Sequence, residues 1–488
     1  MSLEVVSTEA GFLSYARRVL AFPLMIVVQL AASALGGIGF VLGSPPSLMI
    51  AGTALWLVWF AGLFWIALPS SDSLMARASR IVRIAGISAF ALLMATGIFE
   101  LVFVQVAARL DHSKLLNALH STFSYNDATA LCHQATDNLL EGRNPYSNAN
   151  VVTALEISGG ASDKITPRRE GQFASVFPYP MPAQLDAVWK EAEADPAHPP
   201  PEIETRMNYP AGAFELPAPF FLAGIRDIRW VYFLYTVPAL IAVVWLAPSK
   251  LRLPLAAVLL VGLTFWNSIA GGETGSLAFP FMLLGWVLAR KHPYPSAAFM
   301  GMAVAIKQTA WFLMPFYLVL LLRTIGMRRT IAAGSLIAGV FVAANLPFMI
   351  RDPGLWINSM GAPMSEDFFP LGGGIISFVT SGLVSIKSPS IFTLAEGMVL
   401  GVGLAWYYAN CRKYPHTGPV LAFFPLFFAW RSLWSYFFYI DVIVLSSVII
   451  DEYGPRLERR KRLSEMKVRF RGGQREEVGG QVAGQQTS

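Results

Sequence analysis

One acidic residue and two basic residues stand out as groups that could do chemistry, because each lies beside apolar sequence. Asp127 opens the stretch "DATALCHQATDNLL", Lys307 interrupts "AVAIKQTAWF", and Arg431 interrupts "FFAWRSLWSYFF". An ionised carboxylate at a membrane surface can act as a general base toward a hydroxyl group. A guanidinium can hold a phosphate through two hydrogen bonds, and an ammonium group can hold one as a point charge. Together these residue types indicate proton transfer beside an anionic group.

Each of these residues also has a purely structural interpretation. Acids are common in first helical turns because the helix dipole stabilises a negative charge, so Asp127 could serve its helix alone. Long cationic side chains can extend to the membrane interface, which would explain Lys307 and Arg431 without a ligand. Glu273, in the turn "GGETGS", is a further candidate on the same predicted face. The sequence leaves both interpretations open.

The composition of the chain indicates a membrane protein with many spans. Of its 488 residues, 55% are hydrophobic and 14% are charged, and the mean hydropathy is +0.51. A soluble protein could not bury that much apolar surface. The net charge of +6 is attributed to basic cytoplasmic loops and a basic tail, and no nucleic-acid partner is predicted. Two cysteines and no ligand-spaced histidines predict neither a disulfide framework nor a metal site, and no cofactor is expected.

About twelve apolar stretches approach the ~20 residues that a helix needs to cross a bilayer, which predicts an all-α polytopic fold. The run 295–322 is long for one helix and has Lys307 near its middle, so we predict two short spans that meet there. The stretch 372–386, after "PLGGG", is predicted to be re-entrant or shortened. The other predicted spans are 19–42, 48–68, 82–108, 229–247, 253–270, 274–290, 330–350, 391–409, 416–430 and 432–450.

Basic residues cluster at alternate span ends, which predicts a multi-pass protein of the cell membrane with both termini in the cytoplasm. The long loop, roughly 109–229, holds ten Lys/Arg and fifteen Asp/Glu and is therefore placed outside. Cys132 then lies outside and Cys411 inside, so the two cannot form a disulfide. The predicted units are 1–81, two N-terminal helices; 82–350, a core with the extracytoplasmic loop 109–228; 351–450, a C-terminal bundle; and 451–488, a basic, disordered cytoplasmic tail.

The extracytoplasmic loop is predicted to contain structure of its own. Asn126 suits the N-cap of a helix that carries Asp127 in its first turn. Gly142 suits the C-terminal cap, and Pro145 prevents the helix from continuing. A second amphipathic helix is predicted at 183–194, lying on the membrane surface.

Three stretches of the chain resemble the polyprenyl-phosphate-dependent glycosyltransferases of the GT-C type, and in particular the bacterial alpha-mannosyltransferase-like branch (DUF2029 type). They are the loop motif from Asp127 through "LLEGRNPYS", "MAVAIKQTAWFLMPF" at 302–316, and "WRSLWSYFF" at 430–438. The likeness consists of short motifs scattered over roughly 85–450. Two extra spans precede the acidic loop here, whereas in the family this loop usually follows the first helix.

The resemblance implies a GT-C-like fold and transfer of a mannose-like sugar, usually with inversion, from a polyprenyl-phosphate carrier to an extracytoplasmic lipid or envelope glycan. It implies Asp127 as the general base and Lys307 and Arg431 as groups for the carrier phosphate. Arg143 and Tyr146 are further substrate-binding candidates from the loop motif, and Glu273 is one because of its place at a predicted outer turn. The expected partners are the sugar donor, the acceptor and membrane lipids.

Two other classes of function remain open. A transporter or flippase of about twelve spans would also explain charges within apolar segments, as substrate or proton sites. The long outer loop and the lack of two similar halves speak against a compact carrier. A non-catalytic lipid-binding or assembly scaffold is the third interpretation.

Overall fold

A computed structural model of the protein describes residues 2–68, 79–107, 125–157 and 162–453. The predicted disordered tail, 451–488, lies outside the described residues beyond residue 453. The helices are α1 (Ser2–Val41), α2 (Pro46–Ala67), α3 (Ser79–Ala107), α4 (Asp127–Leu140), α5 (Val151–Ile157), α6 (Pro182–Ala194), α7 (Gly212–Glu215), α8 (Ala218–Leu222), α9 (Ile228–Leu246), α10 (Ser249–Leu260), α11 (Leu263–Ala270), α12 (Gly275–Leu288), α13 (Pro293–Ile306), α14 (Thr309–Ile325), α15 (Met327–Arg351), α16 (Pro353–Ser365), α17 (Ser377–Thr380), α18 (Ser390–Asn410), α19 (Gly418–Phe423) and α20 (Ile440–Val448). Two short strands, β1 (Leu371–Gly372) and β2 (Arg431–Ser432), form one parallel pair.

The fold is that of an all-α polytopic membrane protein. Within the described residues, seven segments are long and apolar enough to cross a membrane, and they lie in α1, α2, α3, α9, α15, α18 and Trp434–Asp451. Helices α10 and α11 make an eighth if they count as one span, with a bend of 52° between them. Helices α12, α13 and α14 are apolar but shorter.

The predicted break at Lys307 is confirmed. Helix α13 ends at Ile306, α14 begins at Thr309, and Lys307 between them has an extended backbone with φ −149° and ψ 138°. A second break, at Val261–Gly262, divides the stretch that was predicted as one continuous span at 253–270. There the indole of Trp266 donates to the carbonyl of Leu259 (3.0 Å), which also accepts from the backbone N–H of Gly262 (3.2 Å).

The segment after "PLGGG" is short and irregular, as predicted. Strand β1 pairs with β2 in the register Leu371 to Arg431, and helix α17 has only four residues. The hydroxyl of Thr53 in α2 lies 3.3 Å from the carbonyl oxygen of Gly373. Irregular backbone among membrane helices persists only where protein or a polar cavity surrounds it. The predicted span 416–430 differs too, since α19 ends at Phe423 and a 3-10 helix follows.

The described part of the loop between α3 and α9 packs onto the helix bundle. The backbone N–H of Ala211 donates to the side chain of Asn345 in α15 (3.0 Å), and the hydroxyl of Thr136 in α4 donates to the carbonyl of Phe214 (3.2 Å). The helix predicted at 183–194 is confirmed as α6. Cys132 and Cys411 are both buried and carry free thiols. The loop is therefore a folded layer that presents α4 to the bundle.

Candidate functional site

Helix α4 begins with the N-cap that the sequence predicts. The Asn126 side chain accepts hydrogen bonds from the backbone N–H of Thr129 (2.8 Å) and from its hydroxyl (2.9 Å). Asp127 follows in the first turn, and its carboxylate accepts from the N–H of Ala128 (2.7 Å). At the other end Gly142 has φ +73°, the left-handed conformation that closes a helix. Local sequence signals thus fix the orientation of the Asp127 side chain.

The turn between α11 and α12 docks against this helix start. The hydroxyl of Thr129 donates to the carbonyl of Gly272, and the amide of Asn126 donates to Glu273 (3.2 Å). Gly272 has φ +75°, and a Cβ there would lie 3.1 Å from the Thr129 methyl group. Glycine is required both for the backbone conformation and for the close approach. As a result Glu273 lies beside the residue that precedes Asp127.

Lys307 reaches the same place from the break between α13 and α14. Its ammonium group donates to the hydroxyl of Thr274 and lies 5.2 Å from the centre of the Tyr209 ring. The residue is only 6% exposed. No described residue forms a salt bridge with it. The charge of Glu273 acts on Lys307 without a direct ion pair. A buried ammonium that lacks a directly paired acid can be stabilised further by an anionic ligand.

Arg431 enters from strand β2. Its guanidinium lies 5.1 Å from the centre of the Phe368 ring. One of its terminal nitrogens, Nη1, is buried and finds no hydrogen-bond acceptor among the described residues. It also forms no salt bridge within the described part of the chain. Arg431 is therefore a second cation that has an aromatic ring, and no directly paired acid, among the described residues.

The charges of these residues act on one another, which shows that they share one site. Burial raises the pKa of Asp127, and the neighbouring Glu273 raises it further. A side-chain contact with Thr166, the N–H of Ala128 and the charge of Arg431 lower it, without offsetting the effect of burial. We call Asp127, Glu273, Lys307 and Arg431 the charged site.

Two tyrosines from the outer loop complete the charged site, and the sequence analysis missed both. Burial raises the pKa of Tyr179 to about 12, with opposing effects from Arg431 and Asp127. Burial also raises the pKa of Tyr209, whose hydroxyl contacts Thr274. Tyr179 lies in the Pro-rich stretch "FPYPMP", which has the pattern of an extended connector and no periodicity that would point to a site. Phenol groups near a polar centre can stack on or hydrogen-bond to a ligand.

The remaining two candidates lie elsewhere. Arg143 follows the far end of α4, about 20 Å from Asp127 at 1.5 Å per residue, and pairs with Glu141 (2.5 Å). Tyr146 is 4% exposed, packs edge-on against Phe214 and donates its hydroxyl hydrogen to the carbonyl of Tyr209 (3.0 Å). Tyr146 therefore supports the backbone of a site residue, and Arg143 is separate from the charged site.

A network of ion pairs joins the outer loop to the segment after α16. The guanidinium of Arg206 lies 2.9 Å from Glu204 and 2.6 Å from Glu366, and Arg168 also pairs with Glu366. Arg168 forms an antiparallel bridge with Phe368, the residue whose ring lies under Arg431. We call Arg168, Arg206, Glu204 and Glu366 the loop clamp. It holds the loop over the charged site.

The charged site can bind an anionic group beside a carboxylate. Lys307 and Arg431 offer positive charge that no described residue pairs in a salt bridge, and Asp127 is placed to exchange a proton nearby. No group of three or more His, Cys, Asp or Glu residues suited to a metal ion occurs in the described ranges. We find no match for the chain among protein-family models, curated proteins or solved structures.

Proposed function

We propose that the protein is a membrane glycosyltransferase that moves a sugar from a polyprenyl-phosphate carrier to an extracytoplasmic lipid or glycan acceptor. One observation carries the proposal: the buried Lys307 and the half-buried Arg431 lie in one site with the carboxylate of Asp127, and neither cation forms a salt bridge within the described residues. A phosphate leaving group needs such cations, and an acceptor hydroxyl needs such a base. The motif resemblance to GT-C enzymes points to the same reaction, and with it to a GT-C-like arrangement of about twelve spans, cytoplasmic termini and an external loop.

In the proposed reaction the acceptor hydroxyl attacks the anomeric carbon of the carrier-bound sugar. Asp127 takes the hydroxyl proton as the new carbon–oxygen bond forms. The bond between the anomeric carbon and the phosphate oxygen breaks, and its electron pair stays on the phosphate. Lys307 and Arg431 stabilise the charge that develops there. Glu273 accepts a hydrogen bond from the side-chain amide of Asn126 and so orients that side chain. The negative charge of Glu273 also acts on Lys307.

The test is release of free polyprenyl phosphate by the protein in bilayer discs. A panel of polyprenyl-phosphate sugars is supplied with a membrane lipid extract as acceptor, and Asp127→Asn is compared with the native protein. We expect the variant to lose about 10²- to 10⁴-fold in rate while it still binds the carrier.

Asp137→Asn is the matched control, because Asp137 is on the same helix but pairs with Arg226 (2.6 Å) away from the charged site. It should leave the rate within about twofold, the effect expected for a group outside the reaction. Equal release by native protein and Asp127→Asn, or release from no carrier, would refute the proposal.

A transporter or flippase is the second candidate, and the breaks at Val261–Gly262 and Lys307 favour it. Discontinuous helices line the substrate sites of many secondary transporters. Vesicles that contain the protein would then move a fluorescent polyprenyl-phosphate lipid between leaflets without cleaving it. Flipping that persists in Asp127→Asn, together with no release of carrier phosphate, would favour this function over transfer.

A further inference from the structure

Two arginines meet where helices α14 and α18 end. Arg323 is in the last turn of α14, and Arg412 lies just after the end of α18. Nε of Arg412 donates to the backbone carbonyl of Arg323 (2.8 Å). Neither guanidinium forms a salt bridge within the described residues, and the sequence has no Asp or Glu at 301–350 or 397–440. We call Arg323, Arg412 and the neighbouring Tyr408 the basic corner.

The thiol of Cys411 shows that both charges of the basic corner act at one place. Burial raises the pKa of Cys411, whereas the charges of Arg323 and Arg412 lower it without offsetting the effect of burial. One to two turns away, the rings of Phe316 in α14 and Tyr407 in α18 pack with their centres 5.6 Å apart. The packing of two helices therefore holds the two cations together.

Tyr408 places the basic corner at the level of lipid head groups. The Arg323 guanidinium lies 4.9 Å from the centre of the Tyr408 ring, and this tyrosine is 48% exposed. Tyrosine side chains and long cationic side chains at the ends of membrane helices lie at the interface between lipid and water. A guanidinium stacked on a ring keeps the N–H groups along its edge available to an acceptor.

An apolar stripe of α18 leads from the membrane interior to the basic corner. Leu394, Met398 and Val402 are all exposed, and their spacing of four residues places them on one face of the helix. Tyr408 continues this face toward the end of the helix. Only 17% of this span is buried inside the protein, so the stripe faces the acyl chains of the bilayer. A lipid that lies along the stripe brings its head group to the two arginines.

The basic corner is separate from the charged site. Helix α14 begins at Thr309, directly after the break that carries Lys307, and its 17 residues extend about 25 Å. The charged site and the basic corner therefore lie at opposite ends of α14. The proposed topology places the basic corner at the cytoplasmic face, where anionic lipids of the inner leaflet attract basic side chains.

We infer that the basic corner binds the head group of an anionic phospholipid, with the acyl chains along the stripe of α18. The lipid phosphate supplies the negative charge that the described residues do not place beside Arg323 and Arg412. A zwitterionic lipid carries an ammonium group that opposes this attraction, so an anionic head group is preferred. The apolar stripe favours a lipid over free phosphate. This inference does not rest on the proposed glycosyl transfer.

Binding is tested by native mass spectrometry of the full-length, delipidated protein in a non-ionic detergent. The probes are phosphatidylglycerol and phosphatidylcholine with the same acyl chains. The native protein should bind phosphatidylglycerol more tightly, and the double variant Arg323→Gln/Arg412→Gln should lose about 25-fold in affinity for it. This factor is about fivefold for each basic side chain near an anionic lipid. Binding of phosphatidylcholine should stay unchanged, which also shows that the variant is folded.

Arg252→Gln is the matched control. The Arg252 guanidinium lies 4.7 Å from the centre of the exposed Trp245 ring, much as Arg323 lies beside Tyr408. Its donors are already used, since Nε donates to the carbonyl of Ala247 (3.2 Å) and Nη2 to that of Trp245 (2.8 Å). Phosphatidylglycerol binding should therefore stay within about twofold of the native value.

A second double variant separates charge from folding. Arg323→Lys/Arg412→Lys keeps both positive charges and should recover most of the affinity that the glutamine variant loses. Inorganic phosphate in millimolar excess should not displace phosphatidylglycerol, because it has no acyl chains to contact the stripe.

Four outcomes would overturn the inference. They are equal affinity of the native protein for the two lipids, unchanged phosphatidylglycerol binding in the glutamine variant, an equal loss in Arg252→Gln, and displacement of the lipid by inorganic phosphate. The last of these would make the basic corner a site for soluble anions. None of these outcomes bears on release of carrier phosphate, so this inference and the proposed function can fail separately.

Discussion

The loop clamp and the charged site both contain acidic and basic residues. Among the described residues, the basic residues of the clamp form salt bridges and those of the charged site do not. In the clamp, Arg206 has carboxylate oxygens of Glu204 and Glu366 within 2.9 Å. In the charged site, Lys307 has a hydroxyl and an aromatic ring as neighbours and no salt bridge to a described residue. The clamp uses its charges to hold two segments together. The charged site keeps its positive charge available for a ligand, which is the arrangement that binding an anion requires.

This comparison predicts the largest loss of stability in the clamp. Arg206→Met should lower the free energy of unfolding by about 3 kcal/mol, because Glu204 is only 4% exposed and would lose its closest partner. Reversible unfolding in mixed micelles with SDS measures the change. Arg143→Met is the control, since its pair with Glu141 is half exposed and should contribute below about 1 kcal/mol. Equal effects of the two variants would show that the clamp is no more than a surface pair.

The charged site should respond in the other direction. Lys307→Met should raise the free energy of unfolding by about 1–2 kcal/mol, since a thioether of similar length replaces a buried cation that forms no salt bridge with a described residue. The same variant should abolish release of carrier phosphate. A gain in stability with loss of activity is the signature of a functional charge. A fall in the free energy of unfolding as large as that caused by Arg206→Met would mean that Lys307 has a structural partner.

The helix cap that connects local sequence to the charged site should give a smaller effect. Asn126→Ala should lower the free energy of unfolding by about 1 kcal/mol, because Thr129 loses its acceptor and Glu273 loses its donor. Asn126→Ser keeps the cap and should recover most of the stability but not the contact with Glu273. The rate of carrier-phosphate release by Asn126→Ser then measures how much the contact between Asn126 and Glu273 contributes to activity. Full activity in this variant would show that the contact contributes nothing.

The pH dependence of Asp127 should be the smallest effect and should have opposite signs for stability and activity. Burial raises the pKa of Asp127 in the folded state, so the folded state holds this proton more tightly than the unfolded state does. Its stabilising contribution is therefore present at low pH and is lost as the pH rises through the raised pKa. Activity should rise over the same interval, because a general base must be ionised.

The free energy of unfolding and the rate of carrier-phosphate release, both measured from about pH 4 to pH 8, test these opposite signs. Burial also raises the pKa of Glu215, to about 7, so the experiment is done in a Glu215→Gln background. In that background Asp127→Asn should remove the part of the remaining dependence that comes from Asp127. A dependence that persists unchanged in the double variant would assign the titration to another group.

Local features of the chain could be predicted well from its residues. The Asn126 cap, the closing Gly142 and the break at Lys307 all occur where they were expected, because capping, glycine conformation and the preference of a charge for a helix end act over a few residues. The break at Val261–Gly262 was missed, since the surrounding residues are uniformly apolar and carry no signal of a bend.

The candidate site could not be predicted in the same way, because it depends on contacts between distant parts of the chain. Asp127, Glu273 and Arg431 come from three regions separated by more than a hundred residues, and Tyr179 and Tyr209 come from segments without periodicity. Their residue types suggested chemistry, but only their convergence distinguishes them from Arg143, which has similar chemistry and lies far away.

The sequence by itself determined that this is a helical membrane protein, since hydrophobicity and span length follow from composition and order alone. It also determined where the loop helix begins and ends. Only the tertiary structure decided which cations are paired and which are not. The reason is that a salt bridge requires two groups within a few ångströms, and that distance is set by the packing of helices rather than by either residue's neighbours in the chain.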